Sequence, residues 1–293
     1  MKRLFLLCCC LAAAVPFSAR GESLERALRA VTDSVRATVG VAVVFGDGDT
    51  LAVNGGRCYP MLSVCKFHQA LAVLDRLDRR GLPLTTRIPV RRSDLLSGTW
   101  SPLREACPGG GRFTVAELLT YSVAQSDNNV CDVLFRFLGG TEAVDRYIAG
   151  LGIGETVIVA DEEMMHRRTD NQYLNRTTPL AAVRLLELFR RGELLSAAYG
   201  DFLLETMFAT ETGPDKLRGL LPGEVAVAHK TGSSDRDGRG VKIADNDIGI
   251  VRLPDGRSYS IAVFVMDSRE DDRTNAAVIA RISRLVYDYA ARR

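Results

Sequence analysis

The chain has 293 residues, 46% of them hydrophobic and 25% charged, the make-up of an ordinary globular protein with ample length for a real core. A net charge of +2 and scattered arginines give no electrostatic case for nucleic acid or an anionic membrane as partner. After the first residues no segment reaches about 18 unbroken apolar positions, so no membrane-spanning helix is expected.

Lys2 and Arg3 form a basic start, Leu4 to Phe17 an apolar stretch, and Ala19-Arg20-Gly21 a small-residue cleavage site. This is the pattern of a secretory signal peptide over residues 1–21, with a mature chain starting near Glu22 and working in the periplasm. Cys8, Cys9 and Cys10 come too early, without small residues before them, to favour lipid attachment.

Residues 22–37 read as an amphipathic helix. Val39 to Val44 and Leu51 to Val53 flank Gly46-Asp47-Gly48-Asp49, which predicts a β-hairpin. Ser63 opens a helical stretch in which Val64, Phe67, Leu71, Leu74 and Leu77 share one face, and Gly81 stops it. From there to about residue 207 the pattern is mainly helical. Thr114 and Glu117 form a capping box, and Thr141 caps a helix after Gly139-Gly140. Thr178-Pro179 opens a segment ending near Gly192, and Ser196 to Met207 reads as one more helix. Glu224 to Ala228, Asp247 to Leu253 and Ser258 to Val265 are β-rich, the last two joined by a Pro254-Asp255-Gly256 turn. A final helix covers Arg273 to Tyr289. This order predicts an α+β fold. An antiparallel sheet flanked by helices is built from residues 22–60 and 208–293, and an all-helical domain, residues 61–207, is inserted between them.

Export would permit disulfides among Cys58, Cys65, Cys107 and Cys131, with three full pairings open. Cys65 and Cys131 fall on apolar helical patterns, where buried free thiols are the simpler expectation. His68, His166 and His229 are far apart and no zinc-type spacing occurs, so no metal or other cofactor is expected.

Three short strings carry chemistry: Ser63-Val64-Cys65-Lys66, Ser126-Asp127-Asn128 and Lys230-Thr231-Gly232. The chain has only five lysines, and two of them stand in these strings. Chance would supply roughly 0.3 matches to the first and about 0.03 to each of the others. Ser63 and Lys66, three apart at a helix start, share a face, so a serine nucleophile has an amine beside it. Lys66 can act as base if burial and a neighbouring charge, such as Lys230, depress its pKa well below about 10.4. Ser126 could relay a proton to a leaving nitrogen, Asn128 could bind a substrate amide, and Asp127 suits a structural role. Lys230 and Thr231 can hold a carboxylate, while Gly232 allows a ligand backbone to approach. The Ser63 and Ser233 backbone amides are natural oxyanion donors.

With this trio in order, the chain resembles the class A serine β-lactamases over nearly its whole mature length. The resemblance implies the β-lactamase/transpeptidase-like fold, with acylation of Ser63 by a β-lactam and hydrolysis of the acyl-enzyme. The family's E-x-x-L-N omega-loop string is absent. Ala160-Asp161-Glu162-Glu163-Met164-Met165-His166 and Gln172-Tyr173-Leu174-Asn175 stand there instead, similar to an extended-spectrum branch with an altered loop. That resemblance makes Glu162 the hydrolytic base, Glu163 its competitor, His166 a water-orienting neighbour and Asn175 the loop anchor. A D-alanyl-D-alanine carboxypeptidase or other penicillin-binding protein is the alternative. A β-lactam sensor domain is weaker still. A monomer acting on a small-molecule β-lactam is expected, with Arg218, Arg236 and Arg239 all open as carboxylate ligands.

Overall fold

A computed structural model describes residues 17–293, so the leader expected over the first residues lies mostly outside them. Helix α1 (Phe17–Thr32) begins ahead of the expected mature start and ends before residue 37. Strands β1 (Thr38–Phe45) and β2 (Thr50–Val53) form the expected hairpin, and a two-residue strand β3 (Tyr59–Pro60) follows. A 3₁₀ turn over Leu62–Val64 then leads into α2 (Cys65–Arg80). Gly81 ends α2 in the left-handed conformation, φ 60°, where its amide satisfies the last carbonyls.

The next stretch is less uniformly helical than its sequence suggests. Strands β4 (Arg87–Arg91) and β5 (Gly110–Thr114) pair antiparallel across the short helix α3 (Pro102–Ala106). Thr114 and Glu117 do form a reciprocal capping box at α4 (Val115–Leu119). Helix α5 (Asn128–Leu138) is capped by Asp127, and Gly140, one residue earlier than expected, precedes α6 (Thr141–Gly150). The omega segment carries α7 (Glu162–Arg167) and β6 (Arg176–Thr177). Helices α8 (Pro179–Arg190) and α9 (Ala197–Phe208) complete this part.

Strands β7 (Ala226–Ser233), β8 (Lys242–Arg252) and β9 (Ser258–Ser268) precede the last helix, α10 (Asp272–Ala290). The main sheet is antiparallel in the order β2-β1-β9-β8-β7. Side-chain alternation gives it two apolar faces. Val41 and Val43 of β1, with Ile261 and Val263 of β9, pack against Leu24 and Leu28 of α1 and Ile279 and Ile282 of α10. Their neighbours Ala42, Val44, Ala262 and Phe264 face the other way, onto a core shared with Phe67, Leu71 and Leu74 of α2 and Leu185 of α8. Burial on both sides explains why these strands read as nearly unbroken apolar runs. α8 lies against β1 and β9 rather than only among helices. Among the described residues no helix is long and apolar enough to cross a membrane.

Candidate active site

The three strings converge between the edge strand β7 and the helices. Ser63 sits in the 3₁₀ turn, so its hydroxyl stands at the mouth of α2 with Lys66 on the first turn behind it. Lys66 is fully buried, and its ammonium donates to Ser63 Oγ at 3.0 Å, the Ser126 carbonyl at 2.8 Å and Asn128 Oδ1 at 2.5 Å. Glu162 Oε1 lies 3.0 Å from the same Nζ, an ion pair in which both groups are buried. Glu163, by contrast, is exposed and paired with Arg167 at 2.6 Å. Leu62, the residue before Ser63, and Ser126 itself carry unusual backbone, φ 47° and φ 59°. Left-handed non-glycine residues cost about 1–3 kcal/mol each and persist where the surroundings dictate them.

The amines reverse the expected assignment. Burial alone would depress Lys66, but the Glu162 carboxylate beside it opposes that, and its pKa is raised. Lys230 is the depressed amine: burial first, then the charge on Lys66, push it down to about 7. Its Nζ donates to Ser126 Oγ at 2.9 Å and to the Thr231 carbonyl at 2.9 Å. The Lys-Thr-Gly string lies within β7 rather than after a strand end.

A closed hydrogen-bond circuit fixes the glutamate. Asn128 Nδ2 donates to Thr99 Oγ1 at 2.8 Å, and Thr99 lies 3.1 Å from His166 Nε2. His166 Nδ1 is 2.7 Å from the Glu162 carbonyl, which can only accept, so Nδ1 carries the proton and Nε2 accepts from Thr99. Asn175 closes the loop neck, accepting from the Val159 and Ala160 amides at 2.9 Å each and donating to the Ala160 carbonyl at 2.7 Å. Asp132 of α5 holds the start of α7, its two oxygens accepting the Glu162 amide at 2.8 Å and the Glu163 amide at 3.0 Å. Burial pushes the Asp132 carboxyl up to about 7.

A cleft of about 310 Å³ runs past Ser63, Trp100, Ser126, Asn128, Lys216, Thr231 and Ser233. A nucleophile, two amines, a buried carboxylate and a cation-lined cleft are the parts of an acyl-transfer hydrolase. The β-lactamase enzyme family model matches residues 23–290. The chain belongs to that family. A β-lactamase of Bacteroides uniformis is 47% identical over 267 residues, 90% of either chain. The extended-spectrum β-lactamase PER-1 of Pseudomonas aeruginosa is 41% identical over 274 residues, 93% of this chain and 89% of that one. The crystal structure of the TLA-3 extended-spectrum β-lactamase superposes with a TM-score of 0.91 at 46% identity, covering 92% of this chain and 98% of that one. An ancestral class A β-lactamase superposes at 0.82 with 31% identity, over 90% of this chain and 99% of that one. The protein is a class A serine β-lactamase with the α+β fold of that class.

In this β-lactamase several expectations are corrected. His166 has both ring nitrogens engaged, one by the Glu162 backbone and one by Thr99, and it lines a small cavity with Glu162, Asp132 and Thr99 rather than the Ser63 cleft. Gly232 makes room for the chain itself. A Cβ there would collide with the Met61 carbonyl and lie 3.0 Å from the Val64 nitrogen and 3.2 Å from that of Ser63. None of the three arginines lines the cleft: Arg236 pairs with Asp272, Arg239 with Asp237, and Arg218 is exposed. The cation there is Lys216, nearly buried, 2.9 Å from Ser233 Oγ and 2.5 Å from Asp245. Lys216, Thr99 and Asp132 all escaped the sequence reading, since each acts across the fold and stands in no motif.

Proposed function

We propose that this β-lactamase opens the β-lactam amide of penicillins and cephalosporins by attack of Ser63 and hydrolyses the acyl-enzyme with water activated by Glu162. The observation that carries the proposal is the line Ser63 Oγ, Lys66 Nζ, Glu162 Oε1, each step 3.0 Å. A proton passed from Lys66 to Glu162 leaves a neutral amine in contact with the serine hydroxyl, which it deprotonates as the oxygen attacks. The Ser63 and Ser233 amides stabilise the developing oxyanion, a contribution worth about 10²–10³ in rate per donor. Ser126, bonded to Lys230, hands its proton to the leaving nitrogen and is reprotonated by Lys66, which then recovers the proton left on Glu162 and restores the ammonium–carboxylate pair. Lys230, Thr231, Ser233 and Lys216 hold the substrate carboxylate, and Asn128 holds the side-chain amide. Glu162, a carboxylate again, then takes a proton from the water that attacks the ester. His166 positions α7 rather than the water.

The likeness to PER-1 and TLA-3 supports a reach that includes extended-spectrum cephalosporins. The basic start and apolar stretch support export to the periplasm, where the enzyme acts as a monomer. Ser63→Ala should abolish turnover of a chromogenic cephalosporin while leaving the far-UV circular dichroism unchanged; retained turnover would refute the assignment.

A further inference from the structure

The end of the cleft lined by Ser233 and Lys216 is backed by a carboxylate of the protein. Strand pairing sets Asp245 of β8 directly across from Ser233 of β7, and Lys216, in the loop before β7, reaches both. Ser233 and Lys216 face the cleft, while Asp245 is buried behind them at 2% exposure. Asp245 Oδ1 accepts the Ser233 hydroxyl at 2.7 Å and lies 2.5 Å from Lys216 Nζ. The same ammonium donates to Ser233 Oγ at 2.9 Å and to the Asn246 carbonyl at 3.3 Å. An ammonium has three hydrogens and a serine hydroxyl one. All four are engaged within the protein, and the charge of Lys216 is matched at contact distance by a buried anion.

We propose that Asp245 is a specificity-determining residue, selecting β-lactams that carry a cation beside their carboxylate over those that present the carboxylate alone. The inference rests on the reading that Lys216 and Ser233 receive the substrate carboxylate. A bare carboxylate arriving there must share donors that Asp245 already holds, and it meets a like charge one side chain away. Burial leaves little water to screen that charge, so its field reaches past Ser233 and Lys216 into the cleft. Repulsion of this sort discriminates by weakening the disfavoured ligand. A cephalosporin with a quaternary ammonium on the substituent next to its carboxylate brings the balancing charge with it. Asp245 then attracts one group of the ligand while it repels the other. It touches no reacting atom, and the substrate carboxylate stays bound through ring opening, so the effect falls on KM rather than kcat.

The test compares two cephalosporins identical except at the ring carbon next to the carboxylate. One bears a trimethylammoniomethyl group there and the other neopentyl, its neutral all-carbon isostere. Steady-state constants are measured for the parent enzyme, Asp245→Asn and the charge-retaining Asp245→Glu. Asp245→Asn should lower KM for the neopentyl compound about tenfold, the scale of one unit charge removed at close range. Its kcat should stay level, and KM for the ammonium compound should change much less. Asp245→Glu should keep the parent's ratio of the two KM values. Asp245→Thr, whose hydroxyl can still accept from Lys216 and whose branched side chain suits a strand, serves as a second neutral variant. An unchanged ratio, or a higher KM for both compounds in folded neutral variants, would overturn the inference and leave Asp245 as a mere support for Lys216 and Ser233. Failure of both neutral variants to fold, read by far-UV circular dichroism, would overturn it as well. Turnover of both compounds by the parent keeps the hydrolase reading intact in each of these cases; no turnover by the parent would refute that reading and this inference with it.

Discussion

Lys230 offers a pH test whose sign follows from its surroundings. Its ordinary value of 10.5 is brought down to about 7 by burial and by the charge of Lys66. In the free enzyme at pH 8 about nine in ten molecules would then carry a neutral Lys230, and at pH 9 about 99 in 100. A bound substrate carboxylate holds the proton on, so the titration belongs to the free enzyme and enters kcat/KM rather than kcat. kcat/KM should fall about tenfold per pH unit above pH 7, while kcat stays level. Lys230→Arg keeps a charge at every accessible pH, and its kcat/KM should lose that alkaline limb. The assay is initial-rate hydrolysis of a cephalosporin between pH 6 and pH 9. A flat kcat/KM to pH 9, or a limb that survives Lys230→Arg, would refute the reasoning. Stability follows the same sign. The folded value lies below the unfolded one, so the Lys230 contribution is complete above about pH 10.5 and is lost as pH falls through about 7.

Two further substitutions probe the frame around the reacting groups. Asp132→Asn replaces one of the two oxygens that accept the α7 amides. At about 1.5–3 kcal/mol for a hydrogen bond to a charged group, deacylation should slow by roughly 10–150-fold, read as a burst followed by a slow steady state. Acylation should change much less, and an equal loss in both steps would count against a positioning role. Gly232→Ala places a methyl group against the Met61 carbonyl and the Ser63 turn. Overpacking of this kind costs about 1–3 kcal/mol, so Tm should drop by several degrees and kcat/KM should fall with it; a variant with unchanged Tm would show that β7 can move aside.

Much of this was legible from local chemistry. Asp127, Thr114 and Thr178 stand where caps are needed, Gly81 where a helix must turn left-handed, and the alternating β1 and β9 residues where a sheet has two covered faces. The β4–β5 pair was not legible, because Pro89 and the Gly110-Gly111 pair are poor strand formers held by cross-strand pairing with their partners. The charges of the two amines were misread for a similar reason. The sequence places Lys66 beside a serine, but only the fold sets Glu162 against it and leaves Lys230 buried with a like charge. Lys216 stands in no string at all, and its role depends on the loop before β7 folding back over Ser233. His166 carried a spacing signal four residues after Glu162, and the structure turns that spacing to a backbone contact within α7.

The central claim is that Glu162, the buried carboxylate in contact with Lys66, serves the second half-reaction. Intact-mass spectrometry of Glu162→Gln mixed with a penicillin tests it most directly. The account predicts an adduct of the full penicillin mass on Ser63 that forms within seconds and persists, while the parent enzyme shows none at the same time point. Normal turnover by Glu162→Gln, together with stalled turnover by Glu163→Gln, would contradict it.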